Sequence, residues 1–525
     1  MAGMVTAPVA TTVPVGIRPL TRAEVRAVAR GGAAVELTAE ARAAVTASRA
    51  HIEALAADPE PHYGVSTGFG ALATTHIPVE RRAALQRSLI RSHAAGAGPA
   101  VEAEVTRAMM LLRLRTLASG RTGVRPRTVD TLAGLLNNGL LPIVHEHGSL
   151  GCSGDLAPLS AVALALMGEG EVIDASGRRT AAADALRANG ITPLELAEKE
   201  GLALINGTDG MLGMLVLATH DLAGLLDVAD LTAAMSVEAL LGTDRAFAPE
   251  LQALRPHTGQ AVSAARMYAI MAGSPIVASH RTPDCTRVQD AYSMRCAPQV
   301  HGAARDTCAH AVSVVDIELA STVDNPVVLP DGRVESNGNF HGAPLGYVAD
   351  FLAIAVADLA AMAERRTDRM LDRTRSHGLP PFLAGDPGVD SGHMIAHYTQ
   401  AAVVAELKRL AVPASVDTIP TSAMQEDHVS MGWAATRKLR KALDGLGTVL
   451  AIEAMTAARA LDLRAPLAPA PATGAAVAVL RAAGVEGPGP DRHLAPEIAA
   501  AERVVRDGTL APQLDDESTV DRRLW

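Results

Sequence analysis

The stretch "YVADFLAIAVADLAAMAERRTDRMLD", Tyr347 to Asp372, constrains the fold more than any other part of the chain. Val348, Phe351, Leu352, Ala355, Leu359 and Met362 recur at three- and four-residue steps, with Asp350 and Asp358 falling elsewhere, which is the period of a helix rather than a strand. At its start this helix is apolar over most of its surface, so other helices or another subunit must cover it. Segments 209–242, 396–412 and 434–464 read the same way. The chain is 48% hydrophobic but only 2% aromatic, so its core must be built of Ala, Leu, Val and Met, side chains that let helices approach closely. Clear β patterns are few and no repeat of fixed period occurs. The expected class is all-α, with a long helical bundle that oligomerises.

Before about residue 205 shorter helical patterns alternate with Gly-rich turns at "HYGVSTGFGALATTH", "LASGRTGVRPRT" and "GSLGCSGDLAPLS". This predicts a compact N-terminal domain over 17–205, a central long bundle over 206–464, and a C-terminal linker with short helices over 465–525, opened by "APLAPAPATG". Residues 1–16 and roughly the last dozen are expected to be mobile.

Charge and cysteine usage exclude several classes. Lys and Arg total 47 against 57 Asp and Glu, a formal charge of −10, and no basic run interleaved with aromatics is present to bind nucleic acid. Cys152, Cys285, Cys296 and Cys308 form no CxxC pair, and the N-terminus lacks a basic start followed by an unbroken apolar core. A reducing, cytoplasmic setting is expected. The most apolar region, "MLGMLVLATHDLAGLLDVADLTAAMSVEALLG", is interrupted by His220, Asp221, Asp227 and Asp230 before the about 18 apolar residues a membrane span needs. His145-Glu146-His147 and Cys308-Ala309-His310 each offer two ligands but no four-ligand spacing, so no metal is expected.

The stretch "GSLGCSGDLAPLS", 148–160, crowds small residues around Ser153. It is not a nucleophile elbow, because Asp155 stands where G-x-S-x-G needs its last glycine, and it lacks the lysine of a P-loop. Cys152 without an identified base is a weak nucleophile candidate. Another chemistry does need small residues here. If the Gly154 nitrogen attacks the Cys152 carbonyl carbon, a five-membered ring closes, which demands a backbone that bends as only glycine allows. Loss of water from that carbonyl and from the Ser153 hydroxyl leaves an exocyclic methylene conjugated with the ring, a strong electrophile. The Cys152 side chain stays outside the ring.

Cys152-Ser153-Gly154 followed by "DLAPLS" resembles the prosthetic-group motif of the aromatic amino acid ammonia-lyase and aminomutase family, whose members build 4-methylideneimidazole-5-one (MIO) from Ala-Ser-Gly. Here Cys replaces the commoner Ala. The resemblance runs from about residue 20 to 505 and is greatest to the members acting on histidine. It implies the all-α architecture shared with the fumarase and aspartase superfamily, an MIO made from Cys152, Ser153 and Gly154 with no external cofactor, and a homotetramer with active sites shared between subunits. Binding the substrate amine to the methylene makes it a better leaving group. Tyr63 in "HYGVSTGFG" matches the family's catalytic tyrosine, the base for the β-proton, which works near neutral pH only with a lowered pKa. Arg295 matches the arginine that holds the substrate carboxylate through a planar fork, and Gln289 and Tyr292 match supporting positions. A helix over 288–297, ended by Pro298, would put these three on one broad face. Asn206 in "ALINGTDG" matches the asparagine near the ring and amine, and Phe340 in "NGNFHG" an aromatic that shapes the site. Asp209 stands where many relatives carry Gln, and its role is left open.

Specificity rests on Ser92-His93 and Glu426, the latter in "MQEDHVSMG". By the same resemblance, Ser-His marks members specific for histidine, although some aminomutases share it. Glu426 weighs more, because phenylalanine- and tyrosine-type members carry a neutral Gln there. An imidazole substrate, with one donor and one acceptor nitrogen, needs such polar partners. The expected reaction is elimination of ammonia from L-histidine to trans-urocanate. The alternatives are a tyrosine or phenylalanine lyase or 2,3-aminomutase with the same group, or an inactive helical scaffold. The GSSxMPxKxN loop of the fumarase and aspartase lyases is absent.

Overall fold

The computed structural model describes residues 12–511 except 59, 61, 63, 69–74, 284, 286 and 287. Helices dominate. The longest are Asp209–Ala239, Ala297–Ala320, Ala343–Leu371 and Gly432–Asp462, followed by the shorter Ala39–Ala57 and Met394–Leu410. The all-α class and the long helices read from periodicity are therefore present, their ends displaced by a few residues. Ala297–Ala320 is an addition that the pattern did not reveal.

The strands are short. Val13–Val15 pairs in parallel with Val35–Leu37, and Val13 and Val15 are buried. This corrects the expectation of a mobile 1–16 for its last residues: in Val-Pro-Val the two valines share one face of a strand and bury it. Residues 1–11 lie outside the described residues.

The chain divides into two units, one formed by the chain up to Leu217 with Ser313–Ala349 and Ala414–Arg437, the other by Ala218–Val312, Asp350–Pro413 and the chain from Lys438 on. In the first unit the helix Ala103–Ala118 is central, with every residue from Ala108 to Ala118 buried. It packs against helices Arg22–Ala29 and Pro126–Asn137. Its two buried arginines are tolerated because their guanidinium groups donate to backbone carbonyls, Arg115 to Ser321 at 2.5 Å and to Ile17 at 3.1 Å. The helix Leu156–Leu166 packs against Val79–His93 and Glu200–Ile205. That packing places the site: the small-residue loop precedes the first of these helices, His93 ends the second, and Asn206 follows the third.

In the second unit buried charges are paired between helices. Glu453 meets Arg366 at 2.5 Å and accepts hydrogen bonds from Thr232 and Ser236 at 2.7 and 2.9 Å. Asp230 meets Arg305 at 2.6 Å and His301 at 2.8 Å. Such pairing is what a buried charge requires. The stretches Glu200–Ala239 and Ala343–Leu371 are long and apolar enough to cross a membrane, yet most of each is buried within the protein and both carry members of these polar networks.

Candidate active site

Residues 148–155 run between the strand His145–His147 and the helix Leu156–Leu166. Asp155 sets their path. Its Oδ2 accepts the N–H groups of Gly210 and Met211 at 2.9 and 3.0 Å, and its Oδ1 accepts the Ser149 hydroxyl at 2.8 Å. Its own N–H donates to the Gly207 carbonyl at 2.7 Å. A side-chain oxygen at the first turn of Asp209–Ala239 thus satisfies helix N–H groups that have no intrahelical partner. Burial pushes the Asp155 carboxyl up to about 7, against the pull of these hydrogen bonds.

Two glycines in the loop answer to sterics. Gly154 has φ +81°, and a Cβ there would lie 2.2 Å from the Gly207 carbonyl oxygen. Gly151 has φ +68°, and a Cβ there would lie 2.2 Å from Ser430 Oγ. Any larger residue would meet both a disfavoured backbone conformation and occupied space.

The segment 421–431 lies against this loop. Ser430 Oγ donates to the Gly151 carbonyl at 2.7 Å and the Met431 N–H donates to Leu150 at 2.8 Å. Between these anchors and Thr421, Ser422, Ala423 and Met424 all have positive φ, a tight reversal that presents Glu426. Glu426 Oε1 accepts the Ser153 hydroxyl at 3.2 Å, and Oε2 accepts from Cys152 Sγ at 3.1 Å and Thr421 Oγ1 at 2.9 Å. Burial, reinforced by this carboxylate, pushes the Cys152 thiol up to about 12. Ser153 is half-buried, whereas Cys152 and Gly154 are buried. His428 stacks on His341 with ring centroids 5.6 Å apart and planes 4° from parallel, tying the Glu426 segment to the turn that carries half-buried Phe340.

His93 Nδ1 lies 2.9 Å from the Leu89 carbonyl and 3.0 Å from Ser92 Oγ. A carbonyl only accepts, so Nδ1 carries the proton and Nε2 is left as an acceptor. Burial lowers the His93 pKa, with the Leu89 carbonyl and the Glu426 carboxylate pulling the other way. Asn206 is buried and its Nδ2 donates to the Asn325 carbonyl at 3.2 Å. Asp209 is buried 3.4 Å from Arg113.

The structure therefore brings together His93, Cys152, Ser153, Gly154, Asn206 and Glu426 on one unit, with Phe340 on a turn joined to the same segment. Tyr63 lies outside the described residues. Its neighbour Gly64 has φ +76°, and a Cβ there would lie 2.9 Å from Leu202 Cδ1. Gln289, Tyr292 and Arg295 belong to the second unit. Gln289 is exposed, Tyr292 is 71% exposed, and the half-buried Arg295 guanidinium lies 4.8 Å from the centre of the Tyr292 ring. The helix expected over 288–297 is a correction: it spans only Tyr292–Arg295 and leaves Gln289 outside. Pro298 does not end it but sits in the first turn of Ala297–Ala320, where a proline has no N–H to waste.

Residues 20–482 match the sequence profile of a family described as aromatic amino acid lyase. The chain belongs to this family. Among relatives, the histidine ammonia-lyase of Streptomyces avermitilis is 66% identical over 499 residues, covering 95% of this chain and 97% of its own. The histidine ammonia-lyase of Anaeromyxobacter sp. is 48% identical over 498 residues, covering 94% of this chain and 98% of its own. Among solved structures, tyrosine aminomutase from Streptomyces globisporus superposes with a TM-score of 0.90 at 38% identity, covering 96% of this chain and 99% of its own. Histidine ammonia-lyase from Trypanosoma cruzi gives 0.87 at 37% identity, covering 95% and 94%.

For this aromatic amino acid lyase the sequence did not reveal Asp155, Ser430 or Arg113, each of which shapes the site through a contact distant in the chain, nor Thr421, which braces Glu426 five residues away. A serine or threonine near a glycine has too many ordinary uses to be singled out. Cys152 allows a direct check. Its thiol stays neutral at physiological pH, and a neutral thiol is a weak donor. Cys152→Ala is therefore expected to keep activity within a few-fold of wild type, measured as initial rate, and Cys152 is expected to resist iodoacetamide at mildly alkaline pH.

Proposed function

We propose that this chain eliminates ammonia from L-histidine, giving trans-urocanate, with MIO formed from Cys152, Ser153 and Gly154. One observation carries the reading: a carboxylate, Glu426, reaches Ser153 and Cys152 together, where phenylalanine- and tyrosine-type members carry a neutral Gln. The residues fit the prosthetic group. The Gly154 backbone is bent at positive φ with space for no Cβ, and the Ser153 side chain is half-buried with its hydroxyl on Glu426. Once formed, the group supplies an electron-poor methylene that turns the substrate amine into a leaving group.

The chain's own residues do the rest. Dehydration of Ser153 removes the donor at Glu426 Oε1 and leaves that oxygen to accept the N–H of a substrate imidazole. His93, neutral, presents an acceptor nitrogen. Asn206 fixes the amine end, Tyr63 takes the β-proton, Phe340 shapes the cavity, and Arg295 holds the carboxylate with Gln289 and Tyr292 in support. We read the enzyme as a homotetramer with shared sites and a cytoplasmic location. Supporting the first are the exposed apolar side chains Phe351, Ile354, Ile395 and Tyr398 on long helices, and the exposure of Gln289 and Tyr292. Supporting the second, all four cysteines are free thiols.

The test assays L-histidine, L-tyrosine and L-phenylalanine side by side. Ultraviolet absorbance of a conjugated product should rise with L-histidine at a kcat/KM well above the other two. A product from tyrosine or phenylalanine with none from histidine would sink the substrate assignment and leave the lyase chemistry standing.

A further inference from the structure

We propose that Arg113, held by Asp209, is a positioning residue that sets Asn206, an inference that rests on reading Asn206 as the residue facing the substrate amine. Beneath that asparagine lie four charged side chains. Arg113 and Asp209 are 1% and 6% exposed, and Lys199 and Asp324 are both fully buried. Two cations and two anions are thus sealed in one cluster. Lys199 Nζ meets Asp324 Oδ2 at 2.6 Å. Buried ion pairs are weak evidence of stabilisation, since apolar replacements of similar volume are often as stable. What this cluster does is seen in its hydrogen bonds.

Arg113 Nη1 donates to the Asn206 carbonyl at 2.9 Å and to Ala203 at 3.3 Å, while Nη2 donates to Val323 at 2.7 Å. Two residues beyond Val323, the Asn325 carbonyl accepts from Asn206 Nδ2 at 3.2 Å. One planar guanidinium therefore grips the backbone of Asn206 and the segment that orients its side-chain amide. The Lys199–Asp324 pair holds the same segment at the residue between Val323 and Asn325.

Asp209 completes the device without competing for these donors. Its Oδ2 lies 3.4 Å from Arg113 Nε, and neither atom has a hydrogen-bond partner although both are buried. Attraction at that distance fixes the guanidinium and leaves its terminal N–H groups for the three carbonyls. A Cβ on Gly207 would fall 2.2 Å from Asp209 Oδ2 and 2.7 Å from Arg113 Nη1. The Gly207 backbone, which also accepts the Asp155 N–H, is thus pressed directly on the pair.

The experiment measures kcat/KM for L-histidine in Arg113→Lys and Asp209→Asn, each alone and combined with Asn206→Ala, with circular-dichroism melting and intact mass for every protein. Lysine keeps a charge opposite Asp209, but its donors radiate from a single nitrogen and cannot reproduce the planar grip of Nη1 and Nη2 on carbonyls of two segments. Arg113→Lys is expected to keep the helical spectrum and the mass deficit of a formed prosthetic group while losing about 10²-fold in kcat/KM, the scale of a small misplacement. Asp209→Asn should lose less. In the Asn206→Ala background both substitutions should have little further effect, because the group they position is gone. Equal losses in the two backgrounds, or wild-type activity in Arg113→Lys, would overturn the proposal. Should Arg113→Lys fail to fold, the Asp209→Asn cycle decides alone by the same criterion. Wild-type activity in Asn206→Ala by itself would overturn both the proposal and the reading of Asn206, whereas impaired Asn206→Ala with additive losses overturns the proposal only.

Discussion

Ser153→Ala is expected to lower kcat for L-histidine by on the order of 10³-fold or more, the scale seen when a group that acts in covalent catalysis is removed. The fold should survive. Ser153 is half-buried, and the one hydrogen bond of its hydroxyl, to Glu426, is already given up in wild type when the prosthetic group forms, so the substitution takes no side-chain hydrogen bond from the finished fold. The neighbouring constraints, Gly151 and Gly154 at positive φ and Asp155 on the first turn of its helix, do not involve the Ser153 side chain. Mass spectrometry gives an independent reading: wild-type protein should weigh less than its encoded mass by two water molecules, and the variant should show no such deficit. Near-equal turnover by both proteins, or a wild-type mass equal to the encoded one, would remove the electrophile from the mechanism.

Glu426→Gln is expected to give the second largest loss. A hydrogen bond to a charged group is worth about 1.5–3 kcal/mol, or roughly ten- to hundred-fold in kcat/KM. The amide keeps the shape and can still accept from Thr421 Oγ1, so the reversal at 422–424 should persist. What disappears is the negative charge facing the substrate ring. The loss should therefore fall on L-histidine and spare L-phenylalanine, whose ring has no N–H to donate. Equal losses on both substrates would show that Glu426 acts on a step common to them and does not read the ring.

Much of this is legible in the sequence. Helical periodicity placed 347–372 and the other long segments, because a buried helix repeats its apolar residues every three or four positions whatever it packs against. The chemistry proposed for Cys152-Ser153-Gly154 likewise rests on the sequence, since ring closure involves adjacent residues and depends on local covalent geometry. Where the reading failed, tertiary context intervened. Val13–Val15 became a strand because Val35–Leu37 lies beside it, and Pro298 opened a helix where it was expected to close one.

Adjacency in the chain suffices for the proposed prosthetic-group residues, since the proposed reaction needs only three consecutive peptide units and a glycine. Folding had to supply everything that acts across distance. Glu426 stands 273 positions from Ser153 and touches it where Ser430 and Met431 anchor its segment to the Gly151 and Leu150 carbonyls. Arg113 reaches Val323 across 210 positions. No local pattern encodes such contacts, because a single hydroxyl or guanidinium chooses its partner by the packing of helices that meet only in the folded chain.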